Sequence, residues 1–230
     1  MRLPERRLRG FEALLRWRHP GRGLQTPDQF LPLLEELGLV DQVGRWMLRG
    51  AVREALRWPA PLTLSVNLAG RQLVPGLHEW VLQELAAAGL PPQRLELEFA
   101  EETLFLHFEA AEASLAQLKA AGVAIVIDCF GAGSSSLAYL RSFVFDKVKL
   151  DRTFLDDLER NAQGPAVIDA VAGLCARLGI ATVIEGVERE EQLALLGDAA
   201  SDEAQGVLFG GPLQAEAAME LIRGEEAAVG

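Results

Sequence analysis

Residues 94–128 read RLELEFAEETLFLHFEAAEASLAQLKAAGVAIVID. A strand-like run over 94–99 is followed by a helical pattern over 103–121, a glycine at 122 and a second strand-like run over 123–128. Strand, helix and strand in this order make a parallel βαβ unit. Buried parallel strands read as apolar runs, so packing does not ask for a polar group where they close. Here the first run carries Glu98 and the second ends at Asp128.

The same punctuation continues in both directions. Strand patterns at 62–68, 144–150, 180–185 and 202–208 bring Asn67, Lys149, Glu185 and Gln205 to or near their ends, and a first strand-like stretch covers 7–16. Between them stand helical patterns at 27–37, 42–57, 78–88, 165–178, 189–196 and 214–223, several stopped by glycine at the position where a left-handed residue closes a helix. The helix at 27–37 has Thr26 as N-cap, Pro27 in its first turn and Gln29 to complete a capping box. Asp41 is placed to cap the next helix, with Val43, Trp46, Met47, Ala51, Ala55 and Leu56 at helical spacing. Trp46 and Trp58 fit helix packing better than base stacking. A loop FGAGSSS from Phe130 leads into a short helix. Strands alternating with helices predict an α/β barrel, whose C-terminal rim is where chemistry is placed. Acids, amides and a lysine at that rim suit hard cations and a phosphate-like substrate. Seven strands are found where a closed barrel has eight.

Composition agrees. The 230 residues match one such barrel, and half of them are hydrophobic, enough for a sizeable core. A net charge of −11 argues against DNA or RNA binding by the whole surface, so a polyanionic substrate would need metal ions or a local basic patch. The chain shows no apolar run of membrane-spanning length and no signal peptide. Cys129 and Cys175 make no disulfide framework, which points to a reducing cytoplasm. Three lysines stand against nineteen arginines, and two of the three, Lys147 and Lys149, share one strand, which favours a role that only lysine fills.

The stretch FEALLRW at 11–17 resembles the opening signature of EAL domains, the bacterial phosphodiesterases of cyclic di-GMP. SVNLAGRQL, LELEFAEE, IDCFGAGSSSL, KLDRTF, IEGVE and QGVLFGGPL follow in the order and at the spacing of that family, so the resemblance runs from about 10 to 222. It implies a TIM-like (β/α)8 barrel of the EAL type. Glu12, Asn67, Glu98 and Asp128 match the first metal shell, and Lys149 matches the lysine that holds the attacking water. Glu185 and Gln205 match groups at the metal–water site, with Gln205 beside substrate. Glu101 matches the anchor of the loop after Asp128, and Arg16 the arginine that faces a substrate phosphate. The implied cofactor is Mg²⁺ or Mn²⁺ at a two-metal site, and the implied reaction opens cyclic di-GMP to linear pGpG. Implied partners are a second copy in a homodimer and a sensory or diguanylate cyclase domain upstream.

Two departures bear on activity. The family has two adjacent aspartates where this chain has Asp128–Cys129, and a soft, protonated thiol is a poor ligand for a hard cation. The family also begins with a further strand before the one bearing Glu12. We therefore expect one EAL domain over 1–230 that is short at its N-terminus, an unpaired edge on the Glu12 strand, and Met1 not to start a full domain. Ala69, Ala100 and Val207 are smaller departures, at positions where the family prefers hydroxyl-bearing residues. Three functions stay open at this point: a phosphodiesterase weakened at its second metal site, an inactive cyclic di-GMP receptor that signals through a partner, and a metal-dependent lyase on the same barrel.

Overall fold

The apolar strand patterns become one parallel sheet. A computed structural model describes residues 1–3, 5–131, 145–160, 163–196 and 201–229. The order is β1 (Gly10–Ala13), β2 (Trp17–His19), β3 (Gly23–Gln25), α1 (Pro27–Glu36), α2 (Val40–Ala55), β4 (Thr63–Asn67), α3 (Leu77–Ala88), β5 (Leu95–Ala100), α4 (Glu101–Ala121), β6 (Ala124–Phe130), β7 (Lys147–Leu150), α5 (Thr153–Arg160), α6 (Gly164–Leu178), β8 (Ala181–Ile184), α7 (Glu190–Leu196), β9 (Glu203–Ala204) and α8 (Ala215–Val229). Seven strands form a single sheet in the order β1-β4-β5-β6-β7-β8-β9, every neighbouring pair parallel. This is a TIM-like barrel lacking a strand, as the seven strand patterns predict.

Alternate residues of each strand face opposite ways. Leu64, Val66, Leu97, Phe99, Ile125, Ile127, Val148, Leu150 and Ile184 are buried in a core shared with the helices, including Leu48, Leu85, Leu115, Leu118 and Ile168. Each such side chain contributes about 1.5–3 kcal/mol by leaving water. The other face of the strands is largely polar, with Val126 and Val183 among its apolar members. The sheet curls until this face closes on itself: the side chain of Gln205, just after β9, reaches Glu12 on β1 at 2.6 Å.

The gap of the absent strand is partly filled. Residues 1–3 run antiparallel along β9: Ala204 N–H donates to Met1 O at 2.8 Å and Leu3 N–H to Asp202 O at 2.9 Å. Arg2 also bridges Arg7. The segment before Glu12 therefore does more than a sequence count allows it, although it makes isolated bridges with β9 and not a full strand. Gly10–Ala13 itself pairs with β4 alone among the described residues.

Several expected boundaries move. The buried face of α2 is Val40, Gly44, Leu48, Val52 and Ala55, not the stripe through Val43, Met47 and Ala51, which is half-buried at its margin. Apolar residues flank both sides of the true stripe, so spacing fixes its position only to within a residue. Trp46 is consequently 67% exposed and packs no core, whereas Trp58 is buried against Phe11 with ring centroids 5.1 Å apart. Asp41 lies inside the first turn of α2, with Leu39 at its N-cap. At α1 the Gln29 side chain accepts from Thr26 N–H at 3.0 Å, as expected. The run 202–208 splits into the two-residue β9 and a 3₁₀ turn at Val207–Phe209. Two elements had no sequence reading: the β2–β3 hairpin, whose strands have three residues each, and α5, whose start is marked by Asp151 Oδ1 accepting from Thr153 N–H at 2.9 Å. The FGAGSSS loop beyond Gly131 and its short helix lie outside the described residues.

Candidate functional site

Curling the sheet places the ends of distant strands around one point, and Lys149 occupies it. Its ammonium lies 3.2 Å from Glu12 Oε2, 2.9 Å from Glu98 Oε2, 3.5 Å from Asp128 Oδ1 and 2.8 Å from Glu185 Oε1. The lysine side chain is only 3% exposed. Asn67 Nδ2 donates to Glu12 Oε1 at 2.6 Å and reaches Glu98 Oε2 at 3.3 Å. Gln205 Nε2 donates to Glu12 Oε2. Seven residues named from the sequence thus converge, from β1, β4, β5, β6, β7 and the segments after β8 and β9.

Local structure explains each position. Glu185 is carried past β8 by one more ladder bond, its N–H donating to Leu150 O at 3.1 Å. Gln205 is held likewise by its N–H to Ile184 O at 2.9 Å. Asp128 sits at the start of a register irregularity in β6 between Ile127 and Phe130. Within that irregularity Cys129 takes a left-handed φ of 54°.

Two predicted residues stand apart from the ring. Glu101 opens α4, and its Oε2 accepts from Gly131 N–H at 3.1 Å, at the start of the loop after Asp128. Arg16 follows β1, where its Nη1 donates to Leu15 O at 2.8 Å; among the described residues it forms no ion pair.

The electrostatics are those of too many carboxylates. Burial pushes Glu98 up to about 8, with Glu12 and Asp128 adding to it against the opposing pull of Lys149. Burial likewise pushes Glu185 up to about 7, again with Asp128 and Glu12 adding and Lys149 opposing. Burial disfavours the Lys149 ammonium, but Glu98, Glu185, Glu12 and Asp128 outweigh it and hold the group well above the ordinary lysine value. Burial also pushes the Cys129 thiol up to about 12, followed by Asp128 and Glu185. Asp151, which the sequence reading passed over, adds to that shift.

The ring fits divalent cations. One ammonium faces four carboxylates, and Asp128 Oδ1 is buried without a hydrogen bond among the described residues. Oxygen-rich, acidic sites of this kind select hard cations such as Mg²⁺ or Mn²⁺. Ligand atoms of Asp128, Cys129 and Glu185 lie within 4.8 Å of one another, so the thiol stands where a further oxygen would complete a site. Asn67 turns its nitrogen to the acids; holding a cation would take the flipped amide, oxygen inward.

A parallel barrel with an acid ring at the C-terminal ends of its strands has its polar site where such barrels place their chemistry. The chain belongs to the EAL domain family, whose profile matches residues 1–212. It is 41% identical over 212 residues to the bifunctional diguanylate cyclase/cyclic di-GMP phosphodiesterase MucR of Pseudomonas aeruginosa, covering 90% of this chain and 31% of that one. A solved structure described as the PaMucR phosphodiesterase in complex with c-di-GMP superposes with a TM-score of 0.85 at 40% identity, covering 91% of this chain and 87% of that chain. The manganese and cyclic di-GMP complex of Klebsiella pneumoniae BlrP1 gives 0.78 at 30% identity, covering 89% and 51%. The chain spans 26% to 31% of the length of curated relatives such as MucR. Among the described residues no helix is long and apolar enough to cross a membrane.

Proposed function

We propose that the chain hydrolyses cyclic di-GMP to linear pGpG as a single EAL domain over residues 1–230, with its second metal site weakened. The observation that carries this reading is the buried Lys149 ringed by Glu12, Glu98, Asp128 and Glu185. Glu12, Asn67, Glu98 and Asp128 would hold one Mg²⁺ or Mn²⁺. Asp128 and Glu185 would hold the second beside Cys129. When bound, the two ions supply the Lewis acidity that activates water and stabilises both oxygens of an in-line displacement.

The chain's own groups do the rest. Lys149 donates hydrogen bonds to the attacking water and offsets charge that develops on the phosphoryl oxygens. Arg16 exchanges its contact with Leu15 O for a substrate phosphate, a stronger charge-assisted partner. Gln205 holds Glu12 in place and presents its amide to substrate. Glu101 anchors the loop that begins at Gly131. Water is added across one P–O bond of the ring, and the product keeps both guanosines in a linear dinucleotide.

The setting we propose is cytoplasmic and dimeric. The longer MucR relative, whose name joins a cyclase to a phosphodiesterase, supports an upstream diguanylate cyclase or sensory domain in the same polypeptide. One observation favours a second reading, a receptor that binds cyclic di-GMP without turnover: the soft Cys129 thiol stands beside Asp128 and Glu185 where a hard oxygen would complete the second metal site. Chromatography of cyclic di-GMP incubated with the protein and Mn²⁺, beside calorimetric binding in Ca²⁺, separates the two. The enzyme reading expects pGpG with Mn²⁺. Binding in both ions with no pGpG assigns the receptor, and no binding in either sinks both.

A further inference from the structure

Beneath the ring lies a second polar layer. Two residues before four of the ring positions stand Ser65, Glu96, Lys147 and Glu203, preceding Asn67, Glu98, Lys149 and Gln205. A two-residue step on a strand keeps the same face and moves about 6.6 Å along it. Lys147 Nζ lies 2.9 Å from Glu96 Oε2 and 2.7 Å from Glu203 Oε2. Ser65 Oγ donates to Glu96 Oε2 at 3.2 Å, and Arg9 Nε lies 3.3 Å from Glu203 Oε1. On β1 the layer holds Gly10, where a Cβ would stand 2.2 Å from Thr63 O. That close approach of β1 to β4 brings Glu12 within reach of Asn67 one step above.

The strands that Lys147 joins are not neighbours. β7 is flanked by β6 and β8, while Glu96 is on β5 and Glu203 on β9. Ladder hydrogen bonds fix adjacent strands, so the distance across the interior is left to side chains. We propose that Lys147 is a positioning residue, a strut that holds β5 and β9 at the spacing the acid ring needs, with Glu96 and Glu203 as its two footings. The proposal rests on the reading of that ring as a divalent-cation site. Lys147 pairs with Glu96 and Glu203 and acts on the site through Glu98 and Gln205, two residues further along the strands it ties. Outer groups of this kind set the orientation of metal-binding side chains.

The test is Mn²⁺ binding, by calorimetry and by the electron paramagnetic resonance of the bound ion, on the parent chain and on Lys147→Met, Lys147→Arg and Glu203→Gln. Circular dichroism fixes a temperature at which each variant is folded. Lys147→Met is expected to weaken Mn²⁺ binding about tenfold and to broaden the resonance, and Lys147→Arg, which keeps the charge, to recover most of the loss. If Lys147→Met does not fold, Glu203→Gln decides, with a smaller loss of affinity expected. Unchanged affinity and line shape in the folded variants, whatever their melting temperature, overturn the strut. A parent chain that binds no Mn²⁺ overturns the metal reading itself, a different result from a parent that binds and variants that match it.

Discussion

The two polar layers inside the sheet share a face, but they are balanced differently, because Val126 and Val183 stand in the lower one beneath Asp128 and Glu185. The lower layer sets Lys147 and Arg9 against Glu96 and Glu203. The upper, among the described residues, sets Lys149 alone against Glu12, Glu98, Asp128 and Glu185. Protonation follows the balance. Burial would raise Glu96, but Lys147 and then Arg9 outweigh it and hold its carboxyl below the ordinary value. One step up, Glu98 and Glu185 are pushed to about 8 and about 7. A buried ion cluster that closes on itself needs no ligand, whereas one with carboxylates in excess must take up protons or cations. The lower layer is therefore read as structure and the upper as a site.

The comparison can be broken by mutation. Lys149→Ala and Glu12→Ala are expected to lower pGpG formation about 10³-fold, since each removes a group proposed to act on the attacking water or the ions. A folded Lys149→Ala protein with near-parental turnover would remove the lysine from the chemistry. Next in size, Lys147→Met should cost about 3 kcal/mol in urea unfolding, because buried Glu96 loses its ion-pair partner and faces half-buried Glu203, which keeps only Arg9. Mn²⁺ should not restore that stability, while it should restore much of what Lys149→Met loses. Equal rescue of both variants would erase the distinction between the layers.

Smaller effects sharpen it. Cys129→Asp supplies a hard oxygen beside Asp128 and Glu185 and should raise Mn²⁺-dependent hydrolysis about tenfold, with Mg²⁺ gaining more than Mn²⁺. Unchanged rates with metal shown to be bound would exonerate the thiol. The smallest expected effect is on pH dependence. Glu98 and Glu185 titrate higher folded than unfolded, so in chelator their contribution to stability is full below the unfolded carboxylate value and is lost as pH rises through about 7 to 8. The melting temperature of the metal-free protein should fall by about 3 °C across that range, equivalent to about 1 kcal/mol, and Mn²⁺ should abolish the fall. Glu96 has the opposite sign: its contribution is present above the ordinary carboxylate value and is lost as pH drops through its lowered one. A metal-free melting curve that rises from pH 6 to 8 would contradict the charge excess assigned to the upper layer.

Strand ends were legible in the sequence because period and punctuation are local: apolar runs, a polar closing residue, glycine after several of the helices. Convergence was not. Glu12 and Lys149 are 137 residues apart, and only the curl of the sheet brings them to 3.2 Å. The lower layer left a visible trace in the alternation LELE and KVKL, but alternating charge on a strand normally marks a solvated face, and here that face is the barrel interior. The phase of α2 and the antiparallel seat of residues 1–3 depend on partners far along the chain. Local spacing carries no information about either.

The left-handed backbone at Cys129 has a consequence of its own. Aspartate, asparagine and glycine enter that region readily, whereas a side chain such as cysteine does so at a cost. The bend in β6 is thus a mould better suited to an acid than to its present occupant. Exchanging Cys129 for aspartate would then require no rebuilding of the strand, since the backbone there already has a shape that an acid adopts readily.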